Sequence, residues 1–113
     1  MMIYLAVNRQ KDPELHFTRK LEHEIRGKGG DARILASYQD QYQNYHFEIP
    51  EEEGVILALG GDGTYLQCVN DLNLRGLNHP VLGVNLGTLG FLTQVERDSV
   101  GKAVDAVLGG CYT

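Results

Sequence analysis

LALGGDGTYL, residues 57–66, sets glycines 60, 61 and 63 around one aspartate, directly after an apolar run. The run begins earlier, as Gly54-Val-Ile-Leu-Ala-Leu59. A stretch so short and so uniformly apolar suits a strand of a parallel sheet covered on both faces. Thr64 to Leu74 then reads as a helix, with Leu66, Cys68, Val69 and Leu72 facing inward. Strand, glycine turn and helix together form the unit of an α/β fold.

The chain on either side fits the same pattern. Ile3 to Asn8 is another short apolar run, a candidate buried strand. Asp12-Pro13-Glu14 predicts a helix start, because aspartate caps well and proline suits a first turn whose N–H lacks a partner. Phe17, Leu21 and Ile25 follow at helical spacing, with Glu22/Arg26 and Glu24/Lys28 as i,i+4 pairs on the exposed side. Gly29-Gly30 supplies a left-handed stop. Ala32 to Leu35 reads as a second strand, Val81 to Val84 as another, and Ser99 to Leu108 as a last helix. Between them, residues 38–53 are polar. Tyr38, Tyr42 and Tyr45 have the spacing of a helical packing stripe, and Pro50 with Glu51 to Glu53 reads as a loop. The alternation of strands and helices predicts an open, mainly parallel sheet flanked by helices.

The composition sets limits. A chain of 113 residues suits one domain or one lobe of a larger protein. A net charge of −5 argues against nucleic acid and anionic membrane surfaces as partners, since both want a basic face. Cys68 and Cys111 are far apart and no Cys/His ligand spacing occurs, so no metal site is expected and free thiols in a reduced compartment are. The opening MMIYLAV lacks a basic leader and a cleavage site, and no apolar run is long enough to span a membrane, so a cytoplasmic protein is expected.

Both glycine clusters, Gly60 to Thr64 and Asn85 to Phe91, follow expected strands. In open α/β sheets ligands bind beyond the carboxyl ends of the strands, so the two loops should line one cleft. Glycines allow close backbone approach, and amides at a helix start suit phosphate oxygens. A bare carboxylate repels phosphate. Asp62 makes sense there as a base for an attacking hydroxyl, or beside a magnesium ion. The same residues also suit a plain turn and helix cap. GxxxxGK[ST] is absent, and GxGxxG fails where Leu66 stands, so neither common phosphate motif applies.

Gly60-Gly61-Asp62-Gly63-Thr64 after a buried strand, followed by Leu82-Gly-Val-Asn-Leu-Gly-Thr-Leu-Gly-Phe-Leu92, resembles the NAD kinases over most of the chain. The first loop alone is shared with diacylglycerol kinases, sphingosine kinases and phosphofructokinases; the pair is far more specific. The resemblance implies ATP-dependent phosphorylation of the 2′-hydroxyl of the adenosine ribose of NAD, giving NADP, with magnesium or another divalent cation accompanying ATP. It implies that Asp62 orients and deprotonates that hydroxyl and that Gly63 helps hold NAD. Gly60, Gly61 and Thr64 would face the ATP phosphates. Phe91 and Leu92 would pack on the adenine of NAD, and Asn85 and Gly87 would shape that loop at the NAD site. A homo-oligomeric full-length protein is implied as well.

One departure is large. The family carries a second, β-rich domain with an Asn-Glu or Asn-Asp pair that grips the ribose. No Asn-Glu occurs here, and Asn70-Asp71 lies within the expected helix. Residues 1–113 are therefore expected to be the N-terminal nucleotide-binding lobe of a two-domain kinase, inactive without the C-terminal domain. Two alternatives remain. A lipid kinase of the diacylglycerol or sphingosine type shares the first loop, but its second loop resembles Pro-Leu-Gly-Thr-Gly-Asn-Asp. A noncatalytic nucleotide-binding module would use Asp62 only as a turn residue.

Overall fold

The structure, a computed structural model, describes residues 1–87 and 95–109. In chain order its elements are β1 (Met2–Val7), α1 (His16–Gly27), β2 (Asp31–Ile34), β3 (Ser37–Gln39), β4 (Tyr45–Phe47), β5 (Val55–Gly60), α2 (Asp62–Arg75), β6 (Val81–Asn85), β7 (Val95–Glu96) and α3 (Val100–Leu108), the last entered through a 3-10 turn at Arg97–Ser99. Five strands make one parallel sheet in the order β2-β1-β5-β6-β7. The expected α/β class is what the chain adopts.

The continuous apolar runs follow from burial on both sides. Along β1, Ile3, Leu5 and Val7 face one core, while Tyr4 and Ala6 face the other. Along β5, Val55, Leu57 and Leu59 alternate in the same way with Ile56 and Ala58. The first core is closed by Leu21 and Ile25 of α1 and by Val100, Val104 and Val107 of α3. The second is closed by Cys68 and Leu72 of α2, with Leu35, Ile49 and Phe47. Burial pushes the Cys68 thiol up to about 12, and the nearby Asp71 charge adds to the shift. That thiol behaves as a small core hydrophobe.

Both expected ion pairs of α1 form, Arg26 with Glu22 at 3.6 Å and Lys28 with Glu24 at 3.4 Å. Lys28 also meets Asp105 at 2.7 Å, which ties the end of α1 to α3. Gly29 takes φ +89°, the left-handed stop expected there.

Three local expectations are corrected. Helix α1 starts at His16, not at Asp12-Pro13-Glu14. Asp12 is buried and caps from a distance: the Thr18 N–H and hydroxyl donate to its Oδ2 at 2.8 and 2.7 Å, and the Phe17 N–H donates to Oδ1 at 3.4 Å. Leu66 is 52% exposed; the inward face of α2 is Thr64, Cys68, Asp71 and Leu72, and two of those residues are polar. The tyrosines form no helical stripe. They belong to an antiparallel hairpin of β3 and β4, with Tyr38 opposite His46, and all three are exposed. Asp40 closes its turn, accepting N–H bonds from Tyr42 at 2.8 Å and Asn44 at 3.0 Å.

The hairpin docks on α2 through buried Asp71. His46 Nδ1 lies 2.7 Å from Asp71 Oδ1 and its Nε2 2.8 Å from Asp40 Oδ2. The Phe47 N–H donates to Asp71 Oδ2 at 2.8 Å, and Gln67 Nε2 donates to Oδ1 at 3.0 Å. Asp71 foremost, then Asp40, raises the His46 pKa above its ordinary 6.5. His46 in turn lowers Asp40 below its ordinary 3.8. A raised histidine stabilises the fold fully below its unfolded value, and that stabilisation is lost as pH rises through the folded one. A lowered carboxylate stabilises above its unfolded value and is lost on acidification. The stability difference between the full-length protein and its His46→Gln variant, read by urea denaturation, is therefore expected to be largest between pH 3.8 and 6.5 and to shrink toward pH 9. A difference flat with pH would show that the hairpin docks without this charge pairing.

Candidate functional site

Three loops meet at the carboxyl edge of the sheet. The first follows β1, where Asn8 accepts the Gln10 N–H on its side-chain Oδ1 at 2.9 Å and the Lys11 N–H on its carbonyl at 3.0 Å. The second follows β5 and opens α2. The third follows β6. Backbone bonds join them: the Asn8 N–H donates to Leu59 O, and the Leu86 N–H donates to Gly60 O, both at 2.8 Å. Gly60 and Asn85 are register partners across β5 and β6. The described parts of the two glycine loops thus share one edge, as expected.

Helix α2 begins one residue after Gly61, whose side of the cap carries no side-chain hydrogen bond. The first bond within the helix is Tyr65 N–H to Gly61 O at 3.2 Å. The Gly63 and Thr64 amides therefore have no acceptor within the helix and add to its positive end. Asp62 is the first helical residue and is half-buried. Negative charge is favoured at that end.

A cleft of about 590 Å³ opens over this edge. Its floor includes Gly61, Asp62, Gly63 and Thr64. One wall is the β1 loop from Asn8 to Lys11, and the other is the hairpin with Tyr45 and His46. A volume of that order suits a small-molecule ligand.

The expected residues fall into distinct places. Asp62 and Gly63 line the cleft, as do Gly61 and Thr64. Gly60 lies beneath them, with the Thr64 side chain packed on it. Asn85 is buried, and its Oδ1 accepts the Gly87 N–H at 2.8 Å, which fixes the turn after β6. Phe91 and Leu92 lie outside the described residues.

Asn8, Arg9, Gln10 and Lys11 were not foreseen at the cleft, nor were Tyr45 and His46. A signal for the first four was available. They follow a strand just as the glycines do, and the carboxyl-edge rule applies to every strand of the sheet. For the hairpin no such signal exists, because its docking depends on the contact with Asp71, which is distant in sequence.

No helix of the described residues is long and apolar enough to cross a membrane. Among those residues no group of three or more His, Cys, Asp or Glu side chains could hold a metal ion. A magnesium ion would fit here only as one brought by nucleotide phosphates and met by a single carboxylate, which is a common way for magnesium to bind.

Comparison with known proteins agrees with the loops. Residues 4–112 match the model of the ATP-NAD kinase N-terminal domain. The chain is 40% identical over 115 aligned residues to the NAD kinase of Ruminiclostridium cellulolyticum, covering 97% of this chain and 39% of that protein. It is 38% identical to the NAD kinase of Agathobacter rectalis, covering 96% of this chain and 38% of that protein. With that of Acetivibrio thermocellus the identity is 35%, over 100% of this chain and 40% of the relative. The chain spans about two fifths of the length of these relatives. With its parallel sheet, its paired glycine loops and a match over nearly all its residues, the chain belongs to the ATP-NAD kinase family, of which it matches the N-terminal domain.

Proposed function

We propose that this chain is the N-terminal nucleotide-binding lobe of a two-domain NAD kinase, completed by a β-rich C-terminal domain. The observation that carries the reading is Asp62, a carboxylate at the positive end of α2, half-buried in a cleft that Arg9 and Lys11 also line. Asp62 takes the proton of the ribose 2′-hydroxyl of NAD. The hydroxyl oxygen forms a bond to the γ-phosphorus of ATP, the bond to the β–γ bridging oxygen breaks, and ADP leaves with that electron pair. Gly60, Gly61 and Thr64 face the ATP phosphates, with Gly60 letting Thr64 pack down, and Gly63 helps hold NAD. Asn85 sets the turn that leads toward Phe91 and Leu92, the pair assigned to the adenine of NAD. A divalent cation such as magnesium, arriving with ATP, supplies charge neutralisation on the phosphoryl group. The reading carries with it a cytoplasmic location and a homo-oligomeric full-length protein.

The test is NADP formation by the full-length gene product given NAD, ATP and magnesium, read by a cycling assay specific for NADP. NADP is expected from the full-length protein, with little or none from residues 1–113 alone. Near-equal activity from the short chain would overturn the two-domain assignment. Phosphorylation of diacylglycerol in place of NAD would restore the lipid-kinase reading. The match to NAD kinases over nearly the whole chain favours the first acceptor.

A further inference from the structure

Lys11 has no part in the reaction as written above, yet it holds a central place in the cleft. Its loop is anchored on both sides. The Asn8 carbonyl accepts the N–H of Lys11 at 3.0 Å and that of Asp12 at 3.2 Å. Asp12 is buried and fixed to Phe17 and Thr18 of the helix beyond. From this base the side chain crosses the sheet edge. Its Nζ stands 2.9 Å from the position a methyl group on Gly87 would occupy, and 3.7 Å from the same position on Gly61. One ammonium thus lies against both glycine loops at once. Among the described residues it is in no ion pair.

Two kinds of donor converge there, beside the Asp62 carboxylate. Lys11 brings three rotatable donors and a full charge, and the start of α2 brings outward amides. The matching ligand is anionic, rich in acceptors and extended enough to pass from one glycine loop to the other. A linear polyphosphate chain fits that description. Asp62 stands in the same cleft, so the end of such a chain can lie near a base.

We propose that Lys11 binds the polyphosphate of the phosphoryl donor, bridging the two glycine loops through the ligand and offsetting negative charge beside Asp62. The proposal rests on reading this cleft as the donor site. It gives Gly87 a second role: a methyl group there would lie 2.9 Å from the ammonium and oblige it to shift.

The test is equilibrium binding of ATP, tripolyphosphate and NAD to the full-length protein by calorimetry, which needs no turnover. Lys11→Ala is expected to weaken ATP and tripolyphosphate about tenfold or more, the scale of a lost charge-assisted hydrogen bond, and to leave NAD within about twofold. Lys11→Arg should keep most of the affinity. Gly87→Ala should weaken ATP when Lys11 is present and add little in the Lys11→Ala background. ATP bound by Lys11→Ala as tightly as by the wild type would overturn the proposal, as would an equal loss for NAD or a Gly87→Ala effect independent of Lys11. Comparable wild-type affinity for ATP and tripolyphosphate would assign the contact to the phosphate chain itself, open to inorganic polyphosphate; binding of ATP alone would assign it to a nucleoside triphosphate. A protein that makes no NADP yet loses ATP on Lys11→Ala would sink the acceptor assignment and leave Lys11 in place.

Discussion

Asp62→Asn in the full-length protein is expected to lower kcat by about two to four powers of ten, the usual worth of a positioned general base. Asparagine keeps the shape of the side chain and one hydrogen-bonding oxygen. It loses the capacity to take a proton. NAD affinity should therefore change little, and the loss should fall on kcat more than on KM. Removal of a negative charge from the first turn of α2 should itself cost about 0.3–1 kcal/mol of stability. Single-turnover rates with bound NAD and ATP, set beside calorimetric NAD affinity, separate these quantities. Unchanged turnover would reduce Asp62 to a turn residue. Equal loss of NAD binding and turnover would make it a binding group and not a base.

The sheet could be read from the sequence because a parallel strand buried on both faces needs apolar residues at every position. β1 and β5 meet that condition, and it stands out without any knowledge of the neighbours. The two-residue strand β7 offers no such run. Helix α1 was legible from Leu21 and Ile25, but its start was not. Asp12 acts as a cap across an intervening turn, and only the folded chain shows that its carboxylate reaches Phe17 and Thr18. The tyrosine segment was misread because spacings of four and three residues suit a helix. Asp40 instead holds a tight turn, and Asp71 takes the Phe47 N–H. Both carboxylates act on backbone N–H groups, which a pattern of side-chain polarity does not reveal.

The site divides the same way. Its glycines and Asp62 were visible as an unusual cluster after a strand. Lys11 was not, because a lone lysine in Arg9-Gln10-Lys11-Asp12 looks like any solvated loop charge. Its meaning depends on where β6 ends, seventy-odd positions later in the chain, and on the absence of a side chain at Gly87. Long-range placement of that kind is set by strand order, β1-β5-β6, and not by local sequence.

Gly60 and Gly63 belong to one motif but are held to glycine by different forces, and alanine separates them. A methyl group at Gly60 would strike the Thr64 hydroxyl and come within 2.9 Å of Asn8 Cβ. Asn8 Cβ is fixed to the backbone, and Thr64 is buried on α2, so neither neighbour can swing aside. Gly60→Ala is expected to destabilise the full-length protein by about 3 kcal/mol, the upper part of the range for overpacking. At Gly63 nothing lies within 4 Å of the added methyl. Gly63 is also helical, so Gly63→Ala should leave the unliganded protein as stable or up to about 1 kcal/mol more so. Its cost should appear only with ligand, as weaker NAD binding, because the methyl would occupy cleft space that NAD needs. Urea denaturation without ligand and calorimetry with NAD distinguish the two. If Gly63→Ala destabilised the empty protein as much as Gly60→Ala, the glycine would serve the fold, and the assignment of Gly63 to NAD would lose its support. If Gly60→Ala were silent in both measurements, the close packing of Thr64 on β5 would be wrong, and with it the shape of the cleft floor.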